Sequence, residues 1–393
     1  MARLMLVAGV LAVVVAAGGM SLTEPTGRSA VASGVQGRGG AGGAVFWTRG
    51  VIDHLAVDGK SVAVSTRGIT GSCDRIVVWT TPGQRFVTFE TRVHCAGNYA
   101  YTQDVAEVAL GAGRVAWIEE EGGNQLDQYL YGASSSGGPS KGLATAYNGY
   151  YGAGDADWVG QLHGSGPLLA YNLWTTCNWI LNDDKPTDDC PRNYQVSGAT
   201  LWRLSATGTR VRLRSGASSF RLLAVGGGRL AIEPTTTFWI AKGRSGTVTV
   251  LSATGRLVTT VPAVEKDPPR AVALSSTQLV IERHRTLDLH NPASGTLTRT
   301  IPLGSATRLQ LVGANAKLAI LSGLHRLIAI RLSDGKQATV PLPAEAKATT
   351  SPISPRLSEA GLFYAYNVAS TPAKGRIVFT PTSDLLARFR NSG

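Results

Sequence analysis

The sequence has almost no helical periodicity, only four cysteines, and no catalytic or metal-binding signature of the familiar kinds. Apolar residues rarely recur at helical spacing; Thr382 to Phe389 and the alanine-rich PAEAKATT are the only helical candidates, which excludes a bundle or a doubly wound fold. The six histidines, His54, His94, His163, His284, His290 and His325, stand singly and never at metal-ligand spacing. Neither G-x-S-x-G nor H-E-x-x-H occurs, so nothing marks a nucleophile elbow or a zinc protease. No apolar run reaches the roughly 20 residues of a spanning helix.

The longest such run, Leu4 to Gly19, follows Arg3 and ends in small residues before Ser21, Thr23 and Glu24. This order of a basic residue, an apolar stretch and a small-residue exit predicts a secretory signal over residues 1–22. If it stays uncleaved, the same segment becomes the chain's only membrane contact. No cysteine lies near the exit, which excludes a lipid-modified cysteine there. Residues 23–43, TEPTGRSAVASGVQGRGGAGG, carry too few bulky apolar side chains to bury a core and read as a flexible lead-in. Residues 44–393 form the expected domain of a secreted or extracytoplasmic protein.

Lysine and arginine number 38 against 26 aspartates and glutamates, a net charge of +12. A basic protein outside the cell favours anionic partners such as a cell-envelope polymer. The basic clusters, Arg210 to Arg214, Arg283 with Arg285, and Arg388 to Arg390, are short and dispersed, so no nucleic-acid stripe is expected. The four cysteines, Cys73, Cys95, Cys177 and Cys190, predict two disulfides. Three connectivities exist, and the short loops closed by Cys73 with Cys95 and Cys177 with Cys190 favour nearest-neighbour pairing.

What is abundant is a repeat. Alternating strands flank a polar glycine turn in IVVWTTPGQRFVTF, ATLWRLSATGTRVRL, TVTVLSATGRLVTTV, TLDLHNPASGTLTRTI and LIAIRLSDGKQATVPL. Upstream of each lies a second hairpin, as in HLAVDGKSVAVST, VALGAGRVAWIEE and LLAVGGGRLAIEP. Its turns, marked by Gly59, Gly113, Gly166, Gly228, Ser276, Asn315 and Gly361, are separated by 54, 53, 62, 48, 39 and 46 residues. Four strands per period of this length predict an all-β fold, a seven-bladed β-propeller with six or eight blades as the error range. The N-terminal AVFWTR is placed to pair with the last blade and close the ring.

The SATG and LSDG hairpins resemble those of quinoprotein-like, lactonase-like and WD40-like propellers of exported bacterial proteins, over most of the chain. ISPRLSEAGLFYAY is similar to one repeat of TolB-like propellers. No blade has the Gly-His and Trp-Asp pair of WD40 repeats or the recurrent tryptophan of quinoprotein dehydrogenases, so the resemblance implies the fold and carries no activity with it.

In a propeller, the loops between blades and those between second and third strands share one face, here the loop face. The hairpin turns lie on the other, the turn face. Every unusual segment of this sequence falls on the loop face of blades one to three, and loops carry function more often than strands do. The ligand-binding candidates are Tyr150, Tyr151, Asp155, Asp157, Trp158, Trp174 and Trp179, joined by Asn98, Tyr99, Tyr101 and Tyr147. Aromatic rings beside carboxylates and amides suit a glycan or a protein; the competing reading is that they pack between blades. Asp183, Asp184, Asp188 and Asp189 raise the question of calcium, but their order is not D-x-D-x-D-G and Lys185 interrupts them, so no cofactor is expected. A non-catalytic binding protein is the leading reading. A hydrolase acting on a glycan or lactone at the central channel is the alternative.

Overall fold

The computed structural model describes residues 44–390 apart from 69–71, 82–84, 96–101, 123–125, 149–154, 178–194, 217–218, 236–244, 265–266, 350–351 and 371–373. Seven four-stranded antiparallel sheets form a closed ring, the seven-bladed propeller that the repeat predicted. The first strand, β1 (Ala44–Thr48), belongs to the last blade. Blade one is β2 to β5 (Ile52–Asp58, Ser61–Thr66, Arg75–Thr80, Arg85–Glu90), and blade two is β6 to β9 (Thr102–Gly111, Arg114–Gly122, Leu126–Ser134, Lys141–Asn148). Blade three is β10 to β13 (Trp158–Ser165, Leu168–Cys177, Gln195–Leu204, Arg210–Gly216), and blade four is β14 to β17 (Phe220–Gly226, Arg229–Pro234, Val248–Ser252, Leu257–Val261). Blade five is β18 to β21 (Ala271–Leu274, Leu279–Glu282, Thr286–His290, Leu297–Pro302), and blade six is β22 to β25 (Gln310–Ala314, Leu318–Ser322, Leu327–Arg331, Gln337–Val340). Blade seven has β26 to β28 (Ser354–Leu357, Gly361–Val368, Lys374–Pro381), with β1 as its outer strand, Ala44 opposite Phe379.

The burial pattern explains the composition. Second strands such as LVIE of β19 are buried on both faces because each blade packs against two neighbours, so they read as continuous apolar runs. Outer strands such as β21, LTRTIP, are exposed except at Ile301. The core is divided into seven apolar clusters, one in each seam between adjacent blades. Both helical candidates form, α1 (Ala344–Ala348) and α2 (Thr382–Ala387), and they place Ala346 and Leu385 in the seam of blades six and seven.

Both hairpin families use glycine at positive φ, the outer ones at Gly208, Gly255, Gly295 and Gly335. In the inner hairpins, tight turns place Gly59, Gly113, Gly166 and Gly228 at positive φ, the region only glycine enters cheaply. These turns bond to one another across the turn face. Ala112 donates to Gly166 O at 2.7 Å, Gly166 N–H to Asp58 Oδ1 at 2.6 Å, and the Ser358 hydroxyl to Gly59 O at 2.6 Å. A Cβ at Gly164 would lie 2.4 Å from the Leu110 carbonyl, so blades two and three meet backbone to backbone there.

Candidate functional site

Residues on the loop face of blades one to three fall into three groups. Trp174 is enclosed between blades three and four at 2% exposure, and its indole N–H donates to the Phe220 carbonyl at 2.8 Å. It packs in the seam core with little surface exposed. The reason is that blade three is covered on both sides. Trp158 stands opposite it in the ladder, half-buried. Asp157 Oδ2 accepts from the backbone N–H of Thr176 at 2.6 Å, and Asp155 Oδ2 from that of Thr145 at 3.0 Å, while Asp155 Oδ1 meets Arg210 at 3.4 Å. These carboxylates tie strand ends together, and neither lines the channel. Tyr150, Tyr151, Trp179, Cys190, Asn98, Tyr99, Tyr101 and the four aspartates lie outside the described residues.

The seam between blades one and two is built around a disulfide. Cys73 and Cys95 are bonded, as the nearest-neighbour pairing predicted. The bond brings together the residues beside each cysteine. Asp74 is buried; its Oδ1 accepts from Gly68 N–H at 2.8 Å and its Oδ2 lies 2.8 Å from His94 Nδ1. His94 has φ +53° and donates its backbone N–H to Gln103 Oε1 at 2.6 Å, so the connection between the blades is pinned at both ends. An Asp–His pair is half of a general-base arrangement, but among the described residues no hydroxyl or thiol is bonded to the ring. Replacing both Cys73 and Cys95 by serine is expected to lower stability by about 2–3 kcal/mol through the restored freedom of the unfolded 22-residue loop. Urea denaturation checks it, and an unchanged midpoint would show that the clasp is held by Asp74 and Gln103 alone.

Beside this clasp the guanidinium of Arg92 lies over two rings, 4.7 Å from the Tyr129 centroid and 5.5 Å from that of Tyr131. Tyr131 stacks on Trp117 at 5.8 Å, and Tyr129 meets Tyr147 edge-on at 6.1 Å. Trp117 in turn donates its indole N–H to buried Glu119 at 2.8 Å, whose other oxygen accepts from Arg92 N–H at 3.3 Å. The result is a half-exposed aromatic shelf fixed from below by the core. Burial and the carboxylates of Glu119 and Glu121 push the Tyr131 hydroxyl up to about 12, so it stays a neutral donor. Arg92, Tyr129 and Tyr131 escaped the sequence reading because they lie within ordinary strands and their ends.

The central channel encloses about 610 Å³ between the seven inner strands. Counting back two residues from each inner turn gives Ala56, Ala109, Ala224, Ala273 and Gly313 in five blades, but His163 in blade three and Arg356 in blade seven. The four alanines pack into the seams towards neighbouring blades, while His163 and Arg356 line the channel. One step towards the loop face stand His54, Glu107 and Gln161. Glu107 Oε2 accepts from Leu162 N–H at 3.1 Å, and Gln161 Oε1 accepts from Leu222 N–H at 3.2 Å. These side chains satisfy groups that the bulged inner strands cannot pair. Burial outweighs the nearby Arg356 and pushes the Glu107 carboxyl up to about 8, while burial and Arg356 push His163 down to about 4. Both are therefore uncharged near neutrality.

Among the described residues no three His, Cys, Asp or Glu side chains are grouped to hold a metal ion, and no helix is long and apolar enough to cross a membrane. No protein-family model matches the chain, and no curated protein sequence matches it. Solved structures match its fold. One, described as a structural and mechanistic analysis of two prolyl endopeptidases, aligns at TM-score 0.50 and 16% identity over 86% of this chain. This chain spans 47% of that one's length. Another, a mitotic checkpoint complex, aligns at TM-score 0.46 and 14% identity over 85% of this chain and 93% of the other. At 16% identity the likeness to the first shows the fold alone, and the seven four-stranded sheets make the chain a seven-bladed β-propeller.

Proposed function

We propose that this is an exported, non-catalytic β-propeller that binds a protein or glycan on the loop face of blades one to three. The observation that supports it is the shelf of Arg92, Tyr129 and Tyr131, rigid from beneath and half-exposed above. Rigid aromatic surface beside an arginine contributes most to affinity because little freedom is lost on binding. The disulfide and the signal-like N terminus fit an oxidising compartment. Carboxylates crowd this corner, with Glu119, Glu120, Glu121 and Asp127 on two strands of blade two, so the ligand here is neutral or basic. An anionic envelope polymer would meet instead the arginines of β13, of which Arg212 and Arg214 are exposed.

The test is a screen of the purified chain on a glycan array and against an extracellular protein library. Tyr129→Ala is then expected to weaken the ligand found by roughly 30-fold while the melting temperature falls by less than about 4 °C. Binding that survives this substitution would remove the shelf from the site. The hydrolase alternative draws on the meeting of His54, Glu107 and His163 in the channel. It is the weaker reading because Glu107 already accepts from a backbone N–H and, among the described residues, no two of the three side chains are hydrogen-bonded to each other.

A further inference from the structure

The channel contains a cation that the fold does not neutralise. Three arginines reach its wall, and two are matched. Arg221 places Nε and Nη2 on Glu233 Oε2 at 2.8 and 2.6 Å, and Arg270 lies 3.3 Å from Glu282. Arg356 differs. Its one hydrogen bond runs from Nη1 to the carbonyl of adjacent Pro355 at 2.9 Å, and its remaining guanidinium donors meet no acceptor among the described residues. Its side chain is exposed where it lines the channel, and Glu107, His54 and His163 are its electrostatic neighbours. The two carboxylates of the lining do not form a salt bridge with it: Glu107 accepts from Leu162, and Glu359 accepts from Ala316 N–H at 3.4 Å. A guanidinium that faces a cavity and has no carboxylate on it keeps its fork free for an anion entering from solution.

We propose that the central channel is a binding site for a small organic anion, a hydroxy acid of about monosaccharide size, whose carboxylate is held by Arg356. The guanidinium fork matches a carboxylate in two parallel hydrogen bonds. A volume of about 610 Å³ suits such a molecule and greatly exceeds what a lone inorganic ion fills. The rest of the wall supplies Gln161 and Ser165 to meet the ligand's hydroxyls beside apolar Val57 and Val312. On the turn face the bonded hairpin turns narrow the exit, so the ligand enters from the loop face.

Isothermal titration of the full folded chain with D-glucuronate, citrate, inorganic phosphate and glucose tests this. Glucuronate and citrate are expected to bind saturably and glucose, which differs from glucuronate in charge, is expected not to. R356Q should weaken glucuronate at least ten-fold, and R356K, which keeps the charge but loses the fork, by an intermediate factor. Should R356Q fail to fold, the R356K comparison and the glucose control decide the matter. The proposal is overturned if neither organic acid binds, if R356Q or R356K binds glucuronate as well as the unaltered chain, or if phosphate alone binds. Stabilisation by these salts that R356Q retains in full is a surface exclusion effect and also overturns it. None of these outcomes bears on the shelf of blades one and two.

Discussion

Trp174→Ala is expected to lower the unfolding free energy by about 3–5 kcal/mol, the range for a large buried aromatic. Trp174 packs in the seam with Leu201, Phe220 and Leu222, all nearly inaccessible, so truncation leaves a void between two sheets that cannot close on each other without breaking register. The loss is compounded because the Phe220 carbonyl forfeits an indole donor at 2.8 Å. Urea denaturation followed by tryptophan fluorescence should show a lower midpoint at an unchanged slope. A loss under about 1 kcal/mol would mean that the seam repacks and that Trp174 has some other role. Trp158, its half-buried cross-strand partner, should cost less than half as much.

Glu107→Gln is expected to change the shape of the stability–pH curve. The ordinary value of this carboxyl is 4.5 and the fold raises it to about 8, so the folded chain holds the proton more tightly than the unfolded one. Its contribution is complete below about pH 4.5 and is lost as pH rises through 8. His163 is the opposite case, lowered from 6.5 to about 4: its contribution is present above pH 6.5 and lost as pH falls through 4. Between about pH 4.5 and 6.5 the two slopes oppose each other and the native curve is nearly flat; from 6.5 to 8 Glu107 alone acts, and about 2 kcal/mol is lost. Glutamine can still accept from Leu162 but does not ionise. The variant should therefore gain about 3–5 kcal/mol relative to the native chain between pH 4.5 and 8. Parallel curves for the two proteins would show that Glu107 ionises freely in the channel.

The fold was legible because a propeller writes itself into sequence as a period. Second strands buried on both faces read as apolar runs, and the tight inner turns of blades one to four carry glycine at positive φ. The site was less legible, for two reasons. Trp174 and Trp158 alternate in the same way as any strand residue, and nothing local distinguishes a side chain facing the next blade from one facing solvent. The channel cluster draws Glu107, His163 and Arg356 from three blades, so no motif spans it. One signal was available: aligned on their turns, the seven units show His163 and Arg356 in a column otherwise of alanine and glycine. The Asp74–His94 pair had a signal too, since each residue adjoins a cysteine and the disulfide brings both together.

Closure of the ring has a kinetic consequence. The Thr48 hydroxyl accepts a hydrogen bond from Gly375, 327 residues along the chain, so the strand made first finds its partner only after nearly all else has been synthesised. Ordering so long a loop is slow, and the penalty falls on the last step of folding. Until then β1 and the free edge of β28 are unpaired strands that another molecule could complete. A chain with blades one to six assembled would thus be prone to pair with its own copies through blade seven.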